Sequence, residues 1–166
     1  MKYAIFVIGE RDSGKSTLIR SLTGISVARK GKLWRIKSRS AQPMKAFVLL
    51  SAPQEMSVKK YSPNDFPQKL EQEFRVNRNN YDILITAMEL SSRVGYSQYI
   101  LQTQNQGFGV RLAVINLRQD GTRENPVKIQ SIQNFAQQNN VPMALIDASD
   151  DPNIAAGKIR NNLYPS

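Results

Sequence analysis

The chain has 166 residues and contains no cysteine and no histidine. That length fits one domain able to bury its own core, and the composition excludes disulfide frameworks, thiolate metal sites and every triad or zinc site built on imidazole. The formal net charge is +10, and it is concentrated: residues 1–45 carry eleven Lys or Arg against Glu10 and Asp12, and the rest of the chain is almost balanced.

Taken in order, the first apolar run is KYAIFVI, residues 2–8. It is too short to span a membrane and charge follows at once, so it reads as a buried strand, and a cytoplasmic protein is the expectation. From Lys15 to Thr23, Leu18, Ile19 and Leu22 fall on one helical face, with Gly24 as the stop. LWRIKS (33–38) and AFVLLS (46–51) read as strands. The loop between them is too short for a helix, which predicts an antiparallel hairpin. A helix is expected over 66–76, a strand over 81–88, a helix over 93–105 and a strand over 110–116. Asn125 and Pro126 have the chemistry of a cap and first position, opening a helix to Asn139. A strand over 142–148 and a last helix opened by Asp151 and Pro152 complete the chain. Apolar runs alternating with helical patterns imply an α/β domain on a mostly parallel sheet.

Between the first strand and first helix lies GERDSGKS, residues 9–16, with the spacing GxxxxGKS. A triphosphate carries roughly four negative charges, so its site needs converging donors: glycines let backbone N–H groups approach, and a helix N-terminus adds its positive dipole end. Gly9 and Gly14 meet that need, with Arg11, Asp12 and Ser13 between them. Lys15 is placed to reach the β- and γ-phosphates, Ser16 to ligate Mg²⁺, and Thr17 continues the helix. A strand before the motif and a helix after it are the context this mechanism requires. GTP or ATP with Mg²⁺ is therefore the expected ligand.

The element order β-α-β-β-α-β-α-β-α-β-α, together with this phosphate loop, resembles the Ras-like small GTPase domain over nearly the whole chain. The resemblance implies a three-layer P-loop NTPase fold with a six-stranded sheet, mostly parallel, carrying one antiparallel strand. It also implies elements that this sequence has altered. LSAPQE, residues 50–55, is similar to the family's DTAGQE, with Leu50 for the Asp and Pro53 for the Gly; Gln54 stands at the water-positioning position. Between Gly24 and Leu33 the one hydroxyl is Ser26. After the fifth strand the family's Asn-Lys-x-Asp appears as Asn116, Leu117, Arg118 and Gln119, with Asp120 one residue late, and Ala148 and Ser149 stand at the second base-contacting loop. Losing the carboxylate removes the acceptor for a Mg²⁺-bound water, and Pro53 removes an N–H toward the γ-phosphate. The expectation is nucleotide binding with slow or absent hydrolysis. Arg11 either crowds the γ-phosphate or supplies a charge in cis.

Glu89 ends the fourth strand, at the edge where α/β proteins place their sites, and is a candidate for metal or proton chemistry. With Arg93 or Arg11 it also fits an alternative reading, a small-molecule or nucleotide kinase. A third reading comes from the basic run Arg29–Arg39. Arg35, Lys37 and Arg39 share one strand face opposite Trp34 and Ile36, and with Arg29, Lys30, Lys32 and Lys45 they suit an anionic partner such as nucleic acid or an acidic protein. The bland alternative is an edge strand whose charges discourage strand addition.

Overall fold

A computed structural model describes residues 1–25, 32–54 and 61–166, with Lys32 described by its backbone alone. Six strands form one sheet: β1 (Lys2–Gly9), β2 (Lys32–Lys37), β3 (Pro43–Leu49), β4 (Ile83–Glu89), β5 (Phe108–Leu117) and β6 (Met143–Asp147). The spatial order is β2-β3-β4-β1-β5-β6. All neighbouring pairs are parallel except β2 with β3. Among the described residues five α-helices accompany the sheet: α1 (Lys15–Thr23), α2 (Gln68–Glu73), α3 (Tyr96–Asn105), α4 (Pro126–Gln138) and α5 (Pro152–Leu163). The α/β sheet with one antiparallel strand is as the sequence pattern implies.

The central position of β1 follows from its composition. Ala4 to Ile8 are all fully buried, as expected for a strand covered on both faces. Ile5 and Val7 pack with Leu18, Ile19 and Leu22 of α1 and with Ala156 and Ile159 of α5. Ala4, Phe6 and Ile8 face the other core, with Phe66, Leu70, Tyr99, Ile100 and Ile132. Each large side chain buried this way contributes about 1.5–3 kcal/mol. The second core is rich in rings, with Phe66 5.6 Å from Tyr99 and Phe47 5.5 Å from Tyr81 between centroids.

Boundaries shift where local chemistry outweighs periodicity. The helix expected over 66–76 is confined to Gln68–Glu73, and the one expected from 93 begins at Tyr96 after Gly95. The third strand starts at Pro43, paired with Lys37, and ends at Leu49, so Leu50 and Ser51 lie beyond it. Asn125 and Asp151 cap α4 and α5 as anticipated, accepting from the amides of Val127 and Asn153.

Because β1, β3, β4, β5 and β6 run parallel, their carboxyl ends gather along one edge of the sheet. Gly9 is in register with Glu89 there. On the opposite edge Asp82 accepts from the Lys45 amide at 2.8 Å and stitches β3 to the start of β4. In β2, Trp34 and Ile36 are half-buried against the first core, and Arg35 and Lys37 are exposed, confirming the parity. Arg29 and Lys30 lie outside the described residues. No described helix is long and apolar enough to cross a membrane.

Candidate functional site

The turn from β1 into α1 is built on two glycines with different jobs. Gly14 has φ +109°, a left-handed conformation that favours glycine, and it caps α1. Gly9 has ordinary backbone, but a Cβ there would collide with Ser13 Oγ and come within 3.3 Å of Ile115 Cδ1. Ser13 is fully buried beneath the loop, and its hydroxyl has no hydrogen-bond partner among the described residues. Asp12 also adopts positive φ, at +60°. Left-handed residues of this kind are the backbone element from which anion-binding concavities are built.

Lys15 is buried, and its ammonium donates to the carbonyls of Gly9 at 3.1 Å and Glu10 at 2.7 Å. A cation thus sits inside the loop, positioned before any anion arrives. Ser16 donates its hydroxyl proton to the carbonyl of Leu50 at 3.1 Å. The bond fixes the proton and leaves the oxygen's lone pairs available to a cation. No group of three or more acidic side chains that could hold a metal ion occurs among the described residues.

A cavity of about 780 Å³ opens over the loop. It is lined by Arg11, Asp12 and the stretch from Gly14 to Thr17, by Leu50, Ser51 and Gln54, by Glu89, Ser92 and Arg93, and by Gln119. The structure therefore brings together most of the residues singled out in the sequence. Gly9 and Ser13 support the loop from below. Asn116, Asp120, Ala148 and Ser149 do not line the cavity.

Gln54 is buried and fully engaged. Its amide oxygen accepts from the Glu89 N–H at 2.8 Å, and its amide nitrogen donates to the carbonyls of Val94 at 3.0 Å and Glu89 at 3.4 Å. In this geometry Gln54 staples the turn after β4 that presents Glu89, Ser92 and Arg93 to the cavity. From the sequence, Gln54 beside Pro53 reads equally as a water-positioning residue or a structural one, and its partners, Glu89 and Val94, carry no local signal.

The loop after β5 is shaped by a register shift between Ile115 and Leu117. It then folds back on itself, with Leu117 bridging Arg123. Asp120 stands exposed at its tip and accepts from the Thr122 amide at 2.9 Å, which holds its carboxyl below the usual range. The Arg118 guanidinium forms a two-pronged pair with Glu124 at 3.1 Å. Glu124 is 3 % exposed. Burial pushes that carboxyl up, but Arg118 and the Asn125 amide outweigh it and hold it low. Ser149 donates to Asp147, which is likewise held low by that contact. Ser51 and Gln119, which stand within the altered LSAPQE and Asn116–Gln119 stretches, and Ser92, which stands in no motif, also line the cavity. Glu10, unforeseen from the sequence, reaches Lys128 of α4 at 3.4 Å.

No protein-family model and no curated protein matches this chain by sequence. Among solved structures it is similar to the FeoB G-domain from Methanococcus jannaschii, 16 % identical, the match covering 97 % of this chain and 95 % of that one with a TM-score of 0.55. A probable GTP-binding protein engB is 20 % identical over a match covering 95 % of this chain and 96 % of that one, TM-score 0.51. The tunicamycin resistance protein of Deinococcus radiodurans is 13 % identical, with 100 % of both chains covered and a TM-score of 0.51. These likenesses are of fold: the chain shares with these domains the α/β P-loop NTPase architecture, a six-stranded, mostly parallel sheet with one antiparallel strand. Within that P-loop fold, the cavity lies at the carboxyl edge of the sheet, where open α/β sheets bind ligands.

Proposed function

We propose that the chain binds a nucleoside triphosphate, GTP or ATP, together with Mg²⁺, in the cytoplasm, and hydrolyses it slowly or not at all. The observation that carries this is the phosphate loop itself: a buried Lys15 held by loop carbonyls at the floor of a polar cavity, beside the Ser16 hydroxyl at the start of α1. Ser16 would hold the metal ion, which when bound offsets phosphate charge. Slow turnover is supported by Leu50, which offers a carbonyl and no carboxylate, and by Gln54, whose amide is occupied by backbone. Binding of labelled GTP and ATP with and without Mg²⁺ tests the reading; absence of binding by both at micromolar concentrations refutes it.

A second reading, phosphoryl transfer to a small acceptor, is favoured by the extension of the cavity to Glu89, Ser92 and Arg93. Nucleoside diphosphate formation that depends on an added acceptor would select it. An anionic partner at the basic edge draws its support from Arg35, which faces Lys45 across the hairpin. Like charges so placed repel one another and favour an anion between them. Salt-sensitive nucleic-acid binding that survives Lys15→Ala would favour that role.

A further inference from the structure

We infer that the site holds its ligand by the phosphates and leaves the base unread, so that its ligand class is the polyphosphate rather than one particular purine nucleotide. This rests on the nucleotide-binding reading above and specifies what that site recognises.

The first ground is where space is and where it is not. The large cavity is lined from the phosphate loop to Glu89 and Arg93, and Gly14, Thr17 and Gln119 stand between it and a second, smaller recess. On the other side of α1's first turn, between Gly14, Thr17, Leu18, Gln119, Ala148 and Pro152, there is only a shallow recess of about 10 Å³. It could enclose about one water molecule but not a ring system.

The second ground is what holds this gap closed. The Gln119 amide donates to the Ser13 carbonyl at 3.0 Å, pinning the loop after β5 onto the phosphate loop. The Ala148 amide donates to the Leu117 carbonyl at 2.8 Å, which ties the loop after β6 to the same place. A Cβ built on Gly14 would lie 3.3 Å from the Gln119 Cβ and 3.5 Å from the Ala148 Cβ, so the two loops meet over the glycine.

The third ground is the state of the groups able to read a base edge. Strong base discrimination needs donors and acceptors that are buried, aimed at the ligand and left unpaired when the wrong base binds. Asp120 is exposed and already accepts from Thr122, Asp147 accepts from Ser149, and Arg118 is paired with Glu124. Among the described residues the charged groups on the cavity wall are Arg11, Asp12, Lys15, Glu89 and Arg93, a set suited to an anion bearing a cation. The binding energy then comes from charge and from backbone donors, which every nucleoside triphosphate engages alike.

The test is a competition series on the wild-type chain in Mg²⁺, with GTP, ATP, CTP and inorganic tripolyphosphate as probes against one labelled nucleotide. Dissociation constants for the three nucleotides are expected within about threefold of each other, with tripolyphosphate displacing the label within about tenfold of them. Lys15→Ala is expected to weaken all four in parallel. A preference for one base above about thirtyfold, or inability of tripolyphosphate to displace the label, overturns the inference while leaving nucleotide binding intact. If none of the four probes binds, the nucleotide-binding reading falls and this inference with it.

Discussion

Gly9→Ala tests the architecture of the phosphate loop through one contact. The new methyl would collide with Ser13 Oγ and press to 3.3 Å on Ile115 Cδ1, both in a region without exposed space. Overpacking of this kind costs typically 1–3 kcal/mol, and for a chain of this size each kcal/mol lowers Tm by roughly 2–4 °C. About 2 kcal/mol and a fall of about 4–8 °C are therefore expected. The clash lies mainly with a hydroxyl that has no hydrogen-bond partner among the described residues, so Ser13→Ala alone is expected to be neutral or slightly stabilising. In the double variant the contact with Ser13 Oγ is gone and the Ser13 Cβ and Ile115 Cδ1 remain, each 3.3 Å away, so most of the loss should return. Urea unfolding of the four proteins yields the coupling energy, expected at about 1 kcal/mol or more in the compensating direction. Strict additivity would refute the packing of Ser13 beneath Gly9.

Lys15→Ala removes the cation from the loop and is expected to weaken Mg²⁺-nucleotide binding by roughly 1.5–3 kcal/mol, or about ten- to 150-fold, measured by calorimetric titration. Arg78→Ala leaves the Glu71 carboxylate, 7 % exposed, with Tyr81 but without its ion pair at 2.7 Å, and should cost about 3 kcal/mol in urea; Tyr81→Phe, which removes one hydroxyl donor to Glu71, should cost about 1 kcal/mol. Glu124 is held below its ordinary range when folded, so its contribution is present above the unfolded pKa and is lost as pH falls below about 4; Glu124→Gln should flatten that acid limb of a stability profile. Gln54→Ala deletes the staple on the turn after β4 and is expected to accelerate amide exchange at Glu89, whose N–H it holds.

Much of the fold was legible because its signals are local and repeated. The apolar run of β1, the alternation in β2, and the caps Asn125 and Asp151 each act within a few residues, and each is found where the pattern puts it. The phosphate loop was legible for the same reason, its glycines and Lys15 being adjacent in sequence. The walls of the cavity were not. Gln54 meets Glu89 across 35 residues and Glu10 meets Lys128 across 118, and neither pair carries a spacing that announces it. The base-reading positions show the opposite limit. Asn116, Asp120, Ala148 and Ser149 stand at motif positions in the sequence, but the register shift after Ile115 and the return bridge to Arg123 are set by pairing with distant chain and carry no local signal.

The central claim is that residues 9–17 receive the phosphates. Amide hydrogen exchange with and without Mg²⁺ and a slowly hydrolysed triphosphate analogue examines those backbone groups directly. Marked slowing at Gly14, Lys15 and Ser16 that is absent in Lys15→Ala is the predicted result, and unchanged exchange across the loop at saturating analogue would contradict it.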